Sequence, residues 1–142
     1  MIIGSISENL NYEKRVAITP DVIKKYKSLG INIYLSKDYG SHLGISDKEY
    51  SDLGVKISDN ENEIISNSEI IVQLGLISDD KNSLIKENQI YIGVLNPFEN
   101  KEKLEVLSKR KINMFSLELL PRITRAQSMD ILSSQANLAG YK

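Results

Sequence analysis

The stretch TPDVIKKYKSLGINIYL, residues Thr19–Leu35, holds one complete helix-to-strand unit. Thr19 offers a hydroxyl N-cap, Pro20 suits the first helical position, and Asp21 complements the positive end of the helix dipole. Val22, Ile23, Tyr26 and Leu29 recur on one helical face. Gly30 tolerates left-handed backbone and stops the helix. Ile31–Leu35 is a short β-branched and aromatic run, which reads as a buried strand.

The same alternation extends in both directions. Ile2–Ile6 reads as a strand before the helix. Ser46-Asp47-Lys48-Glu49 is a capping box opening a short helix that ends at Gly54. Val55–Ile57 is a brief third strand, and Asn62–Ser66 a helical turn. Ile70–Leu74 and Ile90–Leu95 are further strands, separated by a helix over Ser78–Lys86. Asn100 is placed to cap a helix over Lys101–Lys111, and Ile112–Leu117 is the last strand. Gln127–Ala139 then reads as a helix. Strands and helices alternating at this spacing predict a mostly parallel sheet with helices on both faces. The expected fold is therefore α/β, a flavodoxin-like or Rossmann-like three-layer sandwich. In such sheets ligands sit at the carboxyl ends of the strands. Those ends fall near residues 7–19, 36–45, 75–78, 96–99 and 118–127.

Composition narrows the function. A chain of 142 residues suits one domain with a real core. A net charge of −1, with no polybasic cluster, gives no long-range attraction to nucleic acid. The absence of cysteine removes disulfides, zinc ribbons and thiol chemistry. The apolar run at the N-terminus is too short for a signal-sequence core and meets Glu8 at once, so the cytoplasm is the default expectation. No metal site is expected, because His42 has neither cysteine nor a second histidine to join it. His42 lies in Tyr39-Gly40-Ser41-His42-Leu43-Gly44, which suits a tight turn and lacks a phosphate-binding glycine pattern. Asp59–Glu63 reads as a solvated acidic turn.

Two segments carry candidate chemistry. Arg15, in the loop after the first strand, has the fork geometry to hold a carboxylate or phosphate, or else to pair with Glu8 or Glu13. Arg122, Gln127, Asp130 and Ser133 lie in PRITRAQSMDILSS, residues Pro121–Ser134. Gln127, Asp130 and Ser133 recur at helical spacing, so one face offers amide, carboxylate and hydroxyl groups. A carboxamide ligand needs that mix of donors and acceptors. A capped surface helix with Asp130 near its dipole is the plainer alternative.

The second segment resembles a known signature. Pro121-Arg122-Ile123-Thr124-Arg125-Ala126-Gln127-Ser128-Met129-Asp130 is similar to the nicotinamide loop of the alpha subunit of proton-translocating NAD(P) transhydrogenase. Glu13-Lys14-Arg15-Val16-Ala17-Ile18-Thr19-Pro20 resembles a motif that these subunits share with alanine dehydrogenases. Leu29-Gly30, Tyr39-Gly40 and Ile70-Ile71-Val72 line up as well, so the resemblance spans essentially the whole chain. It implies that Arg122, Gln127, Asp130 and Ser133 contact the nicotinamide and its ribose, with Arg15 in support. No side chain need act as acid or base, because the cofactor carries the chemistry.

The resemblance also implies an architecture. Residues 1–126 would form the first domain of a two-domain NAD-binding unit, and residues 127–142 would begin the helix leading to a Rossmann domain. NAD(H) would be bound together with that Rossmann domain, and NADP(H) on a partner domain. The implied partners are a second alpha subunit, an NADP-binding beta subunit and a membrane domain, on the cytoplasmic side of the inner membrane. The implied activity is hydride transfer from NADH to NADP⁺ coupled to proton translocation, which this chain would not perform alone. The alternatives are an alanine dehydrogenase-like amino-acid oxidoreductase and a non-catalytic binding or assembly domain. Alanine dehydrogenases carry a catalytic lysine after the strand that here reads Ile70–Leu74, and a catalytic histidine at the end of the next. This chain has Gln73-Leu74-Gly75 and Leu95-Asn96-Pro97 at those places. Without that pair, amino-acid dehydrogenation has no acid or base.

Overall fold

The computed structural model describes residues 1–120. These form one sheet of six strands: β1 (Ile2–Ser5), β2 (Asn32–Ser36), β3 (Lys56–Ser58), β4 (Ile70–Val72), β5 (Ile90–Gly93) and β6 (Asn113–Ser116). Every pairing is parallel. The connecting helices are α1 (Pro20–Ser28), α2 (Asp47–Asp52), α3 (Glu61–Asn67), α4 (Asp79–Asn82) and α5 (Lys101–Lys109). The strand order is β3-β2-β1-β4-β5-β6. Of the two doubly wound orders, this is the Rossmann one. It places a reversal of winding between β1 and β4, which the β1–β4 register Ile3↔Ile70 and Gly4↔Ile71 aligns.

Alternation along the strands divides the core into two layers. Ile3, Ile33 and Leu35 meet Ile23 of α1 and Tyr50 of α2 on one face. Tyr34, Ile71 and Tyr91 meet Ile64 and Ile65 of α3 and Leu107 of α5 on the other. The local signals work as the sequence implies. Thr19 caps α1 by accepting from Val22 N, and Ser46 caps α2 by accepting from Glu49 N. Gly30 and Gly54 both take positive φ, at 76° and 86°, just past the helices they follow.

Five local expectations are corrected. The helix over Ser78–Lys86 stops at Asn82, because Arg110 from α5's end donates to the carbonyls of Asn82, Ser83 and Ile85. The strand over Ile112–Leu117 ends at Ser116 and gives way to a 3-10 turn at Leu117–Leu119. There, Glu118 turns back to accept from Leu95 N and Asn96 N. Leu29 is exposed rather than packed, since it is the C-cap where the chain has left the helical face. Asp59–Glu63 is no free acidic turn: Asn60 caps α3, and Glu61 pairs with Lys81. Asn100 sits at the N-cap of α5, but its amide donates to Leu95 O instead of capping the helix. The expected helix over Gln127–Ala139 lies outside the described residues.

Close packing of α3 on β1 depends on Gly4. A Cβ there would collide with the Ser68 side chain, whose hydroxyl donates to Ile64 O at 2.6 Å, and would press on Ile64 Cγ2 at 3.1 Å. Gly4→Ala should therefore lower the unfolding free energy by about 2 kcal/mol, read by urea denaturation. A change under about 0.5 kcal/mol would mean that α3 shifts away freely.

Candidate functional site at the reversal of strand order

The loops after β1 and β4 diverge at the reversal, where a doubly wound sheet opens a crevice. Here that position is filled by polar side chains of the protein itself. β1 and β4 pair through main chain only as far as Gly4 and Ile71. Beyond that, the Gln73 side chain takes over. Its Oε1 accepts from Ile6 N at 2.7 Å, and its Nε2 donates to Ile6 O at 3.1 Å. The amide thus extends the ladder by one more pair and fixes its own orientation, since Ile6 N only donates and Ile6 O only accepts.

A chain of hydroxyls runs outward from this amide. Tyr39 OH accepts from Ala17 N at 3.1 Å and Ile18 N at 3.2 Å, so its own proton goes to Ser5 Oγ at 2.9 Å. Ser5 in turn donates to Gln73 Oε1 at 2.9 Å. Tyr50 OH donates to Ile18 O at 2.9 Å and stacks edge-on against Tyr39. On the other face Tyr91 OH donates to Gly75 O and accepts from Ile77 N. Tyr39, Gln73 and Tyr91 are at most 2% exposed, so every one of these bonds is made in a low-dielectric interior. Burial pushes the Tyr39 and Tyr91 phenols far above their ordinary range and Tyr50 up to about 12, which keeps all three neutral.

Glu8 completes the site from the β1–α1 loop. Its Oε1 accepts from Leu74 N at 2.5 Å and from Gln73 Nε2 at 3.1 Å, and its Oε2 from Gly75 N at 3.4 Å. Burial raises the Glu8 carboxyl above its ordinary 4.5, and the two backbone N–H groups only partly offset that effect. Ser7 reaches the other way, with its N–H donating to Ser36 Oγ at 2.9 Å at the end of β2. The β1–α1 loop is therefore fastened to both neighbouring strands.

Arg15 stands at the rim of this loop. Its Nε and Nη2 each donate to Glu13 at 2.8 Å, a two-pronged pair, and its backbone N–H also reaches Glu13 Oε1. The hydrogen bond from Arg15 pulls the Glu13 carboxyl down. Arg15 is half exposed, so the pair itself adds little stability. His42 Nε2 donates to Lys14 O at 2.7 Å, which makes it a tether between two loops. Among the described residues no cluster of acids and histidine could hold a metal ion, and no helix is long and apolar enough to cross a membrane. Arg122, Gln127, Asp130 and Ser133 lie outside the described residues. Sequence reasoning missed Gln73, Glu8 and Tyr39. The one visible signal was a glutamine inside the apolar run Ile-Ile-Val-Gln-Leu.

A family model described as alanine dehydrogenase/PNT, N-terminal domain, matches residues 4–139. This chain belongs to that family. It is 40% identical over its whole length to an NAD(P) transhydrogenase subunit alpha chain of Rickettsia prowazekii, and spans 38% of that protein. It is more distant from the alanine dehydrogenase of Methanococcus maripaludis, at 29% identity over 99% of the chain and 37% of that enzyme. Among solved structures, the transhydrogenase of Sinorhizobium meliloti superposes with a TM-score of 0.91 and 34% identity, over 99% of this chain and 42% of that one. The chain therefore spans about two-fifths of the length of these relatives. Within the family, the buried Gln73 of this member has no proton to give or take, because all four of its hydrogen-bonding positions are engaged.

Gln73→Ala would strand the Ser5 hydroxyl and both main-chain groups of Ile6, and should cost about 3 kcal/mol in urea denaturation. The pH dependence of stability gives an independent check on Glu8. Its folded pKa is raised, so the native state holds the proton more tightly than the unfolded chain. Its contribution therefore falls as pH rises from 4.5 through the raised value. The stability of the wild type minus that of Glu8→Gln should decline over that interval and level off above it. A difference that grows with pH would contradict the buried placement of Glu8.

Proposed function

We propose that this chain is the nicotinamide-facing first domain of the NAD(H)-binding component of a proton-translocating NAD(P) transhydrogenase. In that reading residues 1–126 form the domain and residues 127–142 lead toward a Rossmann domain. The observation that carries the reading is where the described chain ends in the fold. Leu120 follows β6 at the carboxyl edge of the sheet, the ligand edge of a doubly wound fold, and hands directly to Arg122, Gln127, Asp130 and Ser133.

The described residues suit one half of a dinucleotide and not the other. The phosphate-binding turn of a Rossmann unit is glycine-rich and ends at free helix N–H groups. Here the β1–α1 loop has no such glycines, and Pro20 at the start of α1 lacks an N–H. Glu8 also sets a carboxyl group where a pyrophosphate would have to lie. Pyrophosphate and adenosine thus fall to another domain, and NAD(H) supplies the hydride when bound there. The role of this chain is positional: Gln127 and Arg122 hold the ring, Asp130 and Ser133 its carboxamide and neighbouring groups. Arg15, locked on Glu13, keeps the loop beside them in place. Reaction between two cofactors needs donor and acceptor carbons within about 3–3.5 Å, which a fixed ring face provides. NADP(H) would sit on a partner beta subunit, with a second alpha subunit and a membrane domain completing a complex on the cytoplasmic face of the inner membrane.

Amino-acid dehydrogenation is disfavoured on a specific ground. The strand ends that would need an acid or base present Gln73, fully hydrogen-bonded, and Asn96, held through its N–H by Glu118.

The test uses this chain extended through a following dinucleotide domain, mixed with an NADP-binding partner, NADH and an NADP⁺ analogue. Hydride exchange between the two nucleotides is expected. Its absence, alongside NADH oxidation that requires pyruvate and ammonia, would overturn the proposal. Gln127→Asn should slow exchange by about tenfold or more while changing NADH affinity by less than about twofold. Equal losses of rate and affinity would argue against ring positioning.

A further inference from the structure

The donors that meet Glu8 are held in place without it. Gln73 is fixed by Ser5 and Ile6. The main chain that carries the other two N–H groups is fixed by Val94 N on Leu74 O at 3.1 Å and by Tyr91 OH on Gly75 O at 2.8 Å. Two consecutive main-chain N–H groups and a buried amide therefore converge on one point whatever occupies it. Converging N–H groups of this kind form an anion-binding concavity. The set is matched to a carboxylate: Leu74 N and Gln73 Nε2 address one oxygen, and Gly75 N addresses the other. Glycine at 75 leaves room for it, since even a Cβ there would stand 3.7 Å from Glu8 Oε2. The occupant, by contrast, comes from a loop whose next residues, Asn9 and Leu10, are exposed.

We infer that Gln73, Leu74 and Gly75 form a carboxylate-binding site at the reversal of strand order, that Glu8 fills it as a built-in ligand, and that Glu8 thereby denies small free carboxylates the centre of the ligand edge. The site takes one-carbon or two-carbon carboxylates, formate and acetate, once the Glu8 side chain is removed. A tethered carboxylate competes at the high effective concentration of an intramolecular group, which is why a free one cannot displace it. Glu8 is thus a specificity-determining residue of this edge. The inference uses no residue beyond 120 and no nucleotide, so it stands or falls apart from the proposed transhydrogenase role.

The test is a titration of the 142-residue Glu8→Ala protein with sodium formate, followed through the amide resonances of Leu74 and Gly75, with ionic strength held constant by chloride. Saturable shifts at millimolar formate are expected, as befits so small a ligand. The wild type should bind at least about tenfold more weakly. Linear shifts without saturation, equal shifts with chloride alone, or equal binding by the wild type would each overturn the inference. If Glu8→Ala is unfolded in chloride, formate should restore its folded spectrum and chloride should not. Failure of formate to do so would equally overturn it.

Discussion

The amide of Gln73 is the interaction on which the rest of the carboxyl edge depends. Main-chain pairing between β1 and β4 ends at Gly4 and Ile71, one step short of where the two loops diverge. A side chain that both donates to and accepts from Ile6 carries the ladder past that limit. Everything beyond hangs on it. Ser5 and Tyr39 relay the same bond to the loop before α1, and Glu8 relays it to the loop after β4. These groups are buried, so each is costly to leave unpaired, and the network is stable only when complete. A crevice that a doubly wound sheet would otherwise open is closed by construction.

This closure bears on how the edge can serve a nucleotide. An open switch point beside a glycine-rich turn binds pyrophosphate. A switch point sealed by a carboxyl group and a fully bonded amide does not, and it offers no acid or base for chemistry on an amino acid. What remains is a rigid wall, with the segment after Leu120 leaving from the same edge. Rigidity is the useful property here, since a group that positions a ring must itself be positioned.

Much of the fold was legible in the sequence because its signals are local. Thr19-Pro20-Asp21, the Ser46–Glu49 box and the glycines at 30 and 54 each act within one turn of backbone, and each does what its chemistry implies. The failures have the opposite cause. α4 is cut short by Arg110, which lies far along the chain, and β6 is ended by Glu118 folding back on Leu95. No pattern within residues 78–86 or 112–117 contains those partners. The candidate site divides in the same way. The segment with Arg122 and Gln127 was found through its resemblance to a signature, whereas Gln73, Glu8 and Tyr39 owe their roles to contacts between loops 22 to 67 residues apart. A glutamine within a buried strand was the one hint, because a polar side chain there needs partners.

Native-state hydrogen exchange at Ile6 and Leu74 tests the central claim most directly. Both amides lie outside regular strands, and their protection rests on Gln73 Oε1 and Glu8 Oε1 alone. They should open only with the strands, with opening free energies within about 1 kcal/mol of those of the β1 amides. Exchange at Ile6 and Leu74 as fast as in the exposed loop around Asn9–Lys14 would contradict a carboxyl edge that depends on Gln73.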